Sequence, residues 1–215
     1  MAYLQSTKYI TAFFLCLFLV PALGQNTFKP LEKPAVDVLL ALAQENNEVD
    51  ISHLSKFEED YANLEASPED PNMVFNYGLI LTSLMQPGIK KFETGEISQV
   101  AKKLVDEAEQ AYIEAISSCN CHGRANIMLG LLYNQEGKYF LSEPFLEKGL
   151  TLKEGGEDWM IAANQYILAG VYTNKTKEEK YVEVYQLFKK YIKTDISSKA
   201  YYIKMAGLYK DYYEN

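Results

Sequence analysis

The stretch LGLLYNQEGKY, residues 129–139, decides the fold. Leu129 and Tyr133 are four apart and share one face of a helix, with the bare Gly130 beside them. Gly137 then offers the left-handed backbone that ends a helix, and Tyr139 opens the next run. The motif returns as LAGVY at 168–172 and MAGLY at 205–209, and an earlier form is YGLIL at 77–81. The steps between successive copies are 52, 39 and 37 residues. Periods of this size signal stacked repeats.

A second pattern follows each copy. It reads small, then aromatic or Leu four residues on, then small three further: Ala108, Tyr112, Ala115 and Ser142, Leu146, Gly149, with Val184, Phe188, Tyr191 as a third version. These steps fall on one helix face, so the unit is a helical hairpin, helix A then helix B. The small residues Gly78, Gly130, Ala169 and Ala206 leave no bulk between paired helices, so the axes can approach closely.

The pattern resembles the tetratricopeptide repeat family. Residues 123–152 carry nearly all of its signature: Leu129, Gly130, Tyr133, Gly137, Tyr139, Ser142, Leu146, Gly149 and Leu150. The resemblance implies an all-α, right-handed α-solenoid of antiparallel helix hairpins with about nine helices. Its units would be 71–122, 123–161 and 162–198, with a terminal helix at 199–215. Val184 and Tyr191 are large where the family is small, which predicts a splayed or shifted third hairpin. Pro144 falls early in a helix B and kinks it unless it lies in the first turn. Met85-Gln86-Pro87-Gly88 breaks the first helix A, and the spacing from Ile97 to Ala111 predicts one long helix B over 97–117, overhanging the array. The KKFETGE loop before it would be an exposed tip.

Upstream, Val36, Leu39, Leu40 and Ala43 predict one short helix, and Ile51, Leu54, Phe57, Tyr61 and Leu64 another, with Asp50 as its cap. They make residues 35–70 an N-terminal hairpin or cap. Residues 25–34, with two prolines and no periodicity, read as a linker. Before them, the apolar run ITAFFLCLFLV at 10–20, Pro21 and Ala22-Leu23-Gly24 have the three parts of a secretory signal, residues 1–24, with cleavage before Gln25. The run is too short to span a bilayer, and Cys16 lies inside it rather than just after the cleavage site. The expected product is exported, periplasmic or secreted, with no stable membrane span after cleavage. The chain carries a net charge of −8 and has no basic stripe, which argues against nucleic acid as a partner.

In the family, groove residues flank the conserved leucine of helix A. The resemblance therefore implies a partner groove of Phe75 and Leu79, Ile127 and Leu131, Tyr166, and Ile203, edged by Asn72, Arg124, Asn134 and Asn174. Phe75 and Leu79 replace the lysine and asparagine with which many members grip acidic tails. The groove would suit an apolar peptide or amphipathic helix of another exported protein. The competing reading is that these side chains are core, covered by the N-terminal helices. The C-terminal helix, with no helix B after it, reads either as an ordinary terminal cap or as a self-association surface.

Two cysteines follow the signal, Cys119 and Cys121, in SSCNCHGR. In an oxidising compartment a disulfide is expected, and a single intervening residue makes the small kind of ring that exchanges readily. Two bystander thiols are the alternative. A redox-active pair, or a soft-metal site of Cys119, Cys121 and His122, would make the chain a small redox or metal-handling protein instead. No phosphate loop, nucleophile elbow or HExxH occurs, and the acidic clusters read as solvated helix faces. No enzyme, metal or cofactor is predicted. Asn174-Lys175-Thr176 matches a glycosylation acceptor.

Overall fold

In a computed structural model of the chain, the described residues are 28–152, 157–173, 183, 184 and 186. They form eight α-helices and no strand. We name these α1 (Lys33–Glu45), α2 (Leu54–Ala66), α3 (Pro71–Leu84), α4 (Gln86–Ile89), α5 (Gln99–Ser118), α6 (Gly123–Gln135), α7 (Tyr139–Thr151) and α8 (Glu157–Tyr172). The expected signal, Asn174, Ile203 and the terminal helix 199–215 lie outside the described residues.

Local chemistry sets most of the boundaries. Pro34 sits in the first turn of α1, where its missing N–H costs nothing. Asp50 caps a single 3-10 turn, Ile51–His53, by accepting from the Ser52 backbone, and α2 continues from that turn. Asp70 caps α3 in the same way, with Pro71 as the first helical residue. Ser98 caps α5 through the Ala101 N–H. The break at Met85–Gly88 is present, and α4 is a single turn. The helix expected over 97–117 is α5. α8 begins at Glu157, ahead of the boundary expected at 162 and just after Gly155 and Gly156 in the sequence.

Gly137 ends α6 as its position predicts. Its φ is 72°, the Lys138 N–H donates to the Tyr133 carbonyl and the Gly137 N–H donates to the Asn134 carbonyl. This pair of bonds is the Schellman closure of a helix C-terminus.

α2 packs on α3, α3 on α5, α5 on α6, α6 on α7 and α7 on α8. In addition α6 touches α8, and α1 reaches forward to α5. The two hairpins α3–α5 and α6–α7 close at matching places. A Cβ on Gly78 would lie 3.0 Å from the Tyr112 ring, and one on Gly130 would lie 2.6 Å from Leu146 Cγ. Ser142 Oγ donates to the Gly130 carbonyl, which ties the second hairpin at the contact. Gly149 repeats the approach from the other helix, with Ile127 Cγ1 2.5 Å from where its Cβ would stand. Two glycines facing across α6 and α7 thus let a leucine and an isoleucine interlock between the axes.

Two expectations need correction. The long α5 does not overhang. Its first half is buried at Ala101, Leu104 and Val105, with α1 and α4 packed against the helix. Nor are residues 28–32 a loose linker. The Leu31 N–H donates to Glu107 at 2.8 Å, Tyr61 Oη donates to the Leu31 carbonyl, and Phe28 packs near Tyr77. Pro144 lies within α7 beyond the first turn, on an exposed face, so one backbone hydrogen bond is lost there while the helix runs on.

Candidate functional site

The expected groove is largely filled. Phe75 is 2% exposed, with its ring near Tyr112 and 4.7 Å from the His122 ring, and the Arg124 guanidinium covers it at 5.2 Å. Ile127 packs into the notch left by Gly149, inside the α6–α7 hairpin. Tyr166 is buried and donates to Glu183 at 2.7 Å. Asn134 is buried too, and its amide donates to the Gln165 backbone and side chain, so it ties the α6–α7 hairpin to α8. Of the remaining groove residues, Leu79 and Leu131 are half-buried, while Asn72 and Arg124 are exposed. Phe75, Ile127, Asn134 and Tyr166 are therefore core or seam residues, and no continuous apolar wall of helix A faces outward at these positions.

An open apolar surface lies elsewhere, between α1 and α5. A groove of about 640 Å³ is lined by Leu31, Val38 and Leu39 on one side and by Lys103, Asp106 and Gln110 on the other. Val38 is 59% exposed, and Leu42, one turn on, is 41% exposed. The α1 pattern explains this. Val36, Leu40 and Ala43 point to the core, while Val38 and Leu42 add a second apolar stripe that the core does not use. Glu107 also lines the groove, and burial pushes its carboxyl pKa up, against the opposing pull of hydrogen bonds from the Leu31 N–H and Tyr77 Oη.

Sequence reading passes over Glu48 and takes Glu107, with Asp106 and Glu109, as part of a solvated helix face. Glu48 is 1% exposed and accepts from the Ser98 N–H at 2.9 Å and from the Ser98 hydroxyl, with Lys91 nearby. It pins the start of α5 to the end of α1. Glu107 ties the chain's entry to the middle of α5. A buried acid has no periodicity to betray it, and Glu48 sits in ENNEVD, residues 45–50, a polar run that reads as surface.

Asp106, Glu109 and Glu136 bring carboxylate oxygens within 4.8 Å of one another. Two lysines already sit among them: Lys102 lies 2.6 Å from Asp106, and Lys138 lies 2.6 Å from Glu136 and 3.6 Å from Glu109. Tyr133 Oη donates to Glu109 at 3.0 Å. Burial raises the Glu136 pKa, partly offset by Lys138. The arrangement works as an ion-pair network that holds the α6 C-terminus to α5.

Cys119 and Cys121 are joined in a disulfide in the loop between α5 and α6. His122 Nδ1 accepts from the Ala125 N–H at 3.2 Å and so caps α6. Its Nε2 is buried and its ring lies against Phe75. Oxidised sulfurs and a capping imidazole do not make the soft-metal set Cys119, Cys121, His122.

Comparisons with protein-family models, with curated proteins and with solved structures find no match for the chain. Among the described residues, no helix is long and apolar enough to cross a membrane.

Proposed function

We propose that the chain is an exported, non-catalytic scaffold of the tetratricopeptide type, a right-handed solenoid of helix hairpins that holds another exported protein. The occupant is an amphipathic helix of that partner. It binds in the groove between α1 and α5 rather than along the helix A wall that the repeat pattern first suggests. One observation carries this reading: an open groove with an apolar floor at Leu31, Val38 and Leu39 and a rim of both charge signs at Lys103 and Asp106. An apolar ridge fits the floor, and flanking charges of either sign find a partner at the rim. The all-α architecture and the matching closures at Gly78 and Gly130 support the repeat scaffold.

The test places a photo-crosslinking residue at Val38 and, as a control, at the exposed Glu93. The expected result is a discrete adduct with one exported protein from position 38 alone, lost when Leu42→Asp is added. Identical adducts from both positions, or an adduct that persists with Leu42→Asp, would refute the reading.

A further inference from the structure

The Cys119–Cys121 disulfide contributes little to holding the fold. Its ring closes through Asn120 alone, and a cross-link over so short a segment removes little freedom from the unfolded chain. The turn is also closed without it. The His122 N–H donates to the Cys119 carbonyl at 2.8 Å, and the Cys119 N–H donates to the Ala115 carbonyl at 3.1 Å. Reduction therefore leaves the backbone of the loop with the same hydrogen bonds. Cys121 is the exposed residue of the pair and Cys119 the half-buried one. Cys121 also stands just before the His122 cap of α6. Helix N-termini favour a thiolate over a thiol.

We propose that this loop is a thiol–disulfide exchange site that oxidises pairs of thiols on exposed polypeptide segments. A substrate thiolate attacks Cys121 Sγ. A new bond forms between the substrate sulfur and Cys121, the Cys119–Cys121 bond breaks, and its electron pair leaves on Cys119 as a thiolate. A second thiolate of the substrate then attacks the substrate sulfur of the mixed disulfide and releases the Cys121 thiolate. The substrate loses two electrons and gains a disulfide, while the loop gains the two electrons and ends as two thiols. The positive end of α6 steadies the Cys121 thiolate, which makes it a good leaving group and makes the loop an oxidant. Return to the oxidised form takes a small-molecule disulfide, such as oxidised glutathione, as the electron acceptor.

This site does not depend on the groove at α1 and α5, and its test is separate. The folded, disulfide-bonded protein is mixed with a reduced dithiol peptide, and thiols are trapped by alkylation and counted by mass. The expected result is one peptide disulfide formed per loop disulfide consumed, and none with the Cys119→Ser/Cys121→Ser protein. That double variant is expected to keep its helical circular dichroism and its melting temperature. With oxidised glutathione as probe, Cys119→Ser forms the mixed disulfide on Cys121 at least about tenfold faster than Cys121→Ser forms it on Cys119, following exposure and thiolate fraction. A loop disulfide that resists both peptide and glutathione while the protein is folded overturns the proposal, as does equal trapping at the two sulfurs. A double variant that melts well below the parent also overturns it, by making the bond a structural staple.

Discussion

Replacing Gly149 with alanine tests the central packing claim. On an exposed helix this change gains about 0.5 to 1 kcal/mol, because alanine is the better helix former. Here the new Cβ would stand 2.5 Å from Ile127 Cγ1 and 3.1 Å from both the Gly123 carbonyl oxygen and the Ile127 backbone nitrogen. Cγ1 is bonded directly to the branched Cβ of Ile127, so it cannot swing aside as a chain end would. Two of the three neighbours are backbone, and relief needs α6 and α7 to move apart. Overpacking of this kind costs about 1 to 3 kcal/mol, and subtracting the propensity gain leaves a net loss of up to about 2.5 kcal/mol, about 1 kcal/mol at the middle of both ranges. At that middle value a chain of this length melts roughly 2 to 4 °C lower. Thermal unfolding followed by circular dichroism reads it directly. A cycle with Ile127→Ala sharpens the result. Truncating Ile127 costs stability by itself, yet the double variant is expected to be more stable than the sum of the singles by at least about 0.5 kcal/mol, since the clash is removed. A Gly149→Ala protein that melts higher than the parent would show that the axes are not in close contact, and the hairpin account would fall with it.

Phe75→Asp is expected to unfold the protein rather than yield a folded non-binder. It removes a ring in tilted contact with Tyr112 and His122, and truncations of buried Phe alone cost about 3 to 5 kcal/mol before any charge is buried. Helical circular dichroism retained at the parent level would refute the placement of Phe75 in the core. Glu107→Gln is expected to stabilise the protein at neutral pH. The folded carboxyl has a raised pKa, with burial as the main cause, so its stabilising contribution is full below the unfolded value and lost as pH rises through the folded one. Glutamine keeps an acceptor for the Leu31 N–H without the buried charge, so the difference in melting temperature should shrink as pH falls toward 4.5, the unshifted value. A gain that grows on acidification would contradict the sign.

What the sequence made legible was local. Gly137 predicts the end of α6 because a left-handed residue is needed wherever a helix closes this way, and no other part of the chain has a say. Gly78 and Gly130 predict close helix contact because small residues at helical spacing leave room on one face only. The boundaries of α5 and the break at Met85 follow from periodicity and from proline. The candidate site was less legible, because whether a helix face is open depends on segments far away in sequence. Phe75 and Leu79 flank the same kind of position, yet a histidine in the loop after α5 seals Phe75, and nothing in the repeat pattern announces that. Ile127 looks like a groove residue until Gly149 is seen across from it. Val38 and Leu42 were passed over because α1 is short and its stronger stripe, Val36, Leu40 and Ala43, already accounts for a core.

The bond from the Leu31 N–H to Glu107 spans 76 residues, whereas Ser142 reaches Gly130 across only 12. A polypeptide emerging from the ribosome, or threading through a translocation pore, meets these two partners at very different times. The paired helices can clasp as soon as they emerge, but the leading end must stay unlatched until the middle of α5 has followed it. The segment that carries Leu31 therefore stays unpaired for an interval set by how fast the chain is delivered.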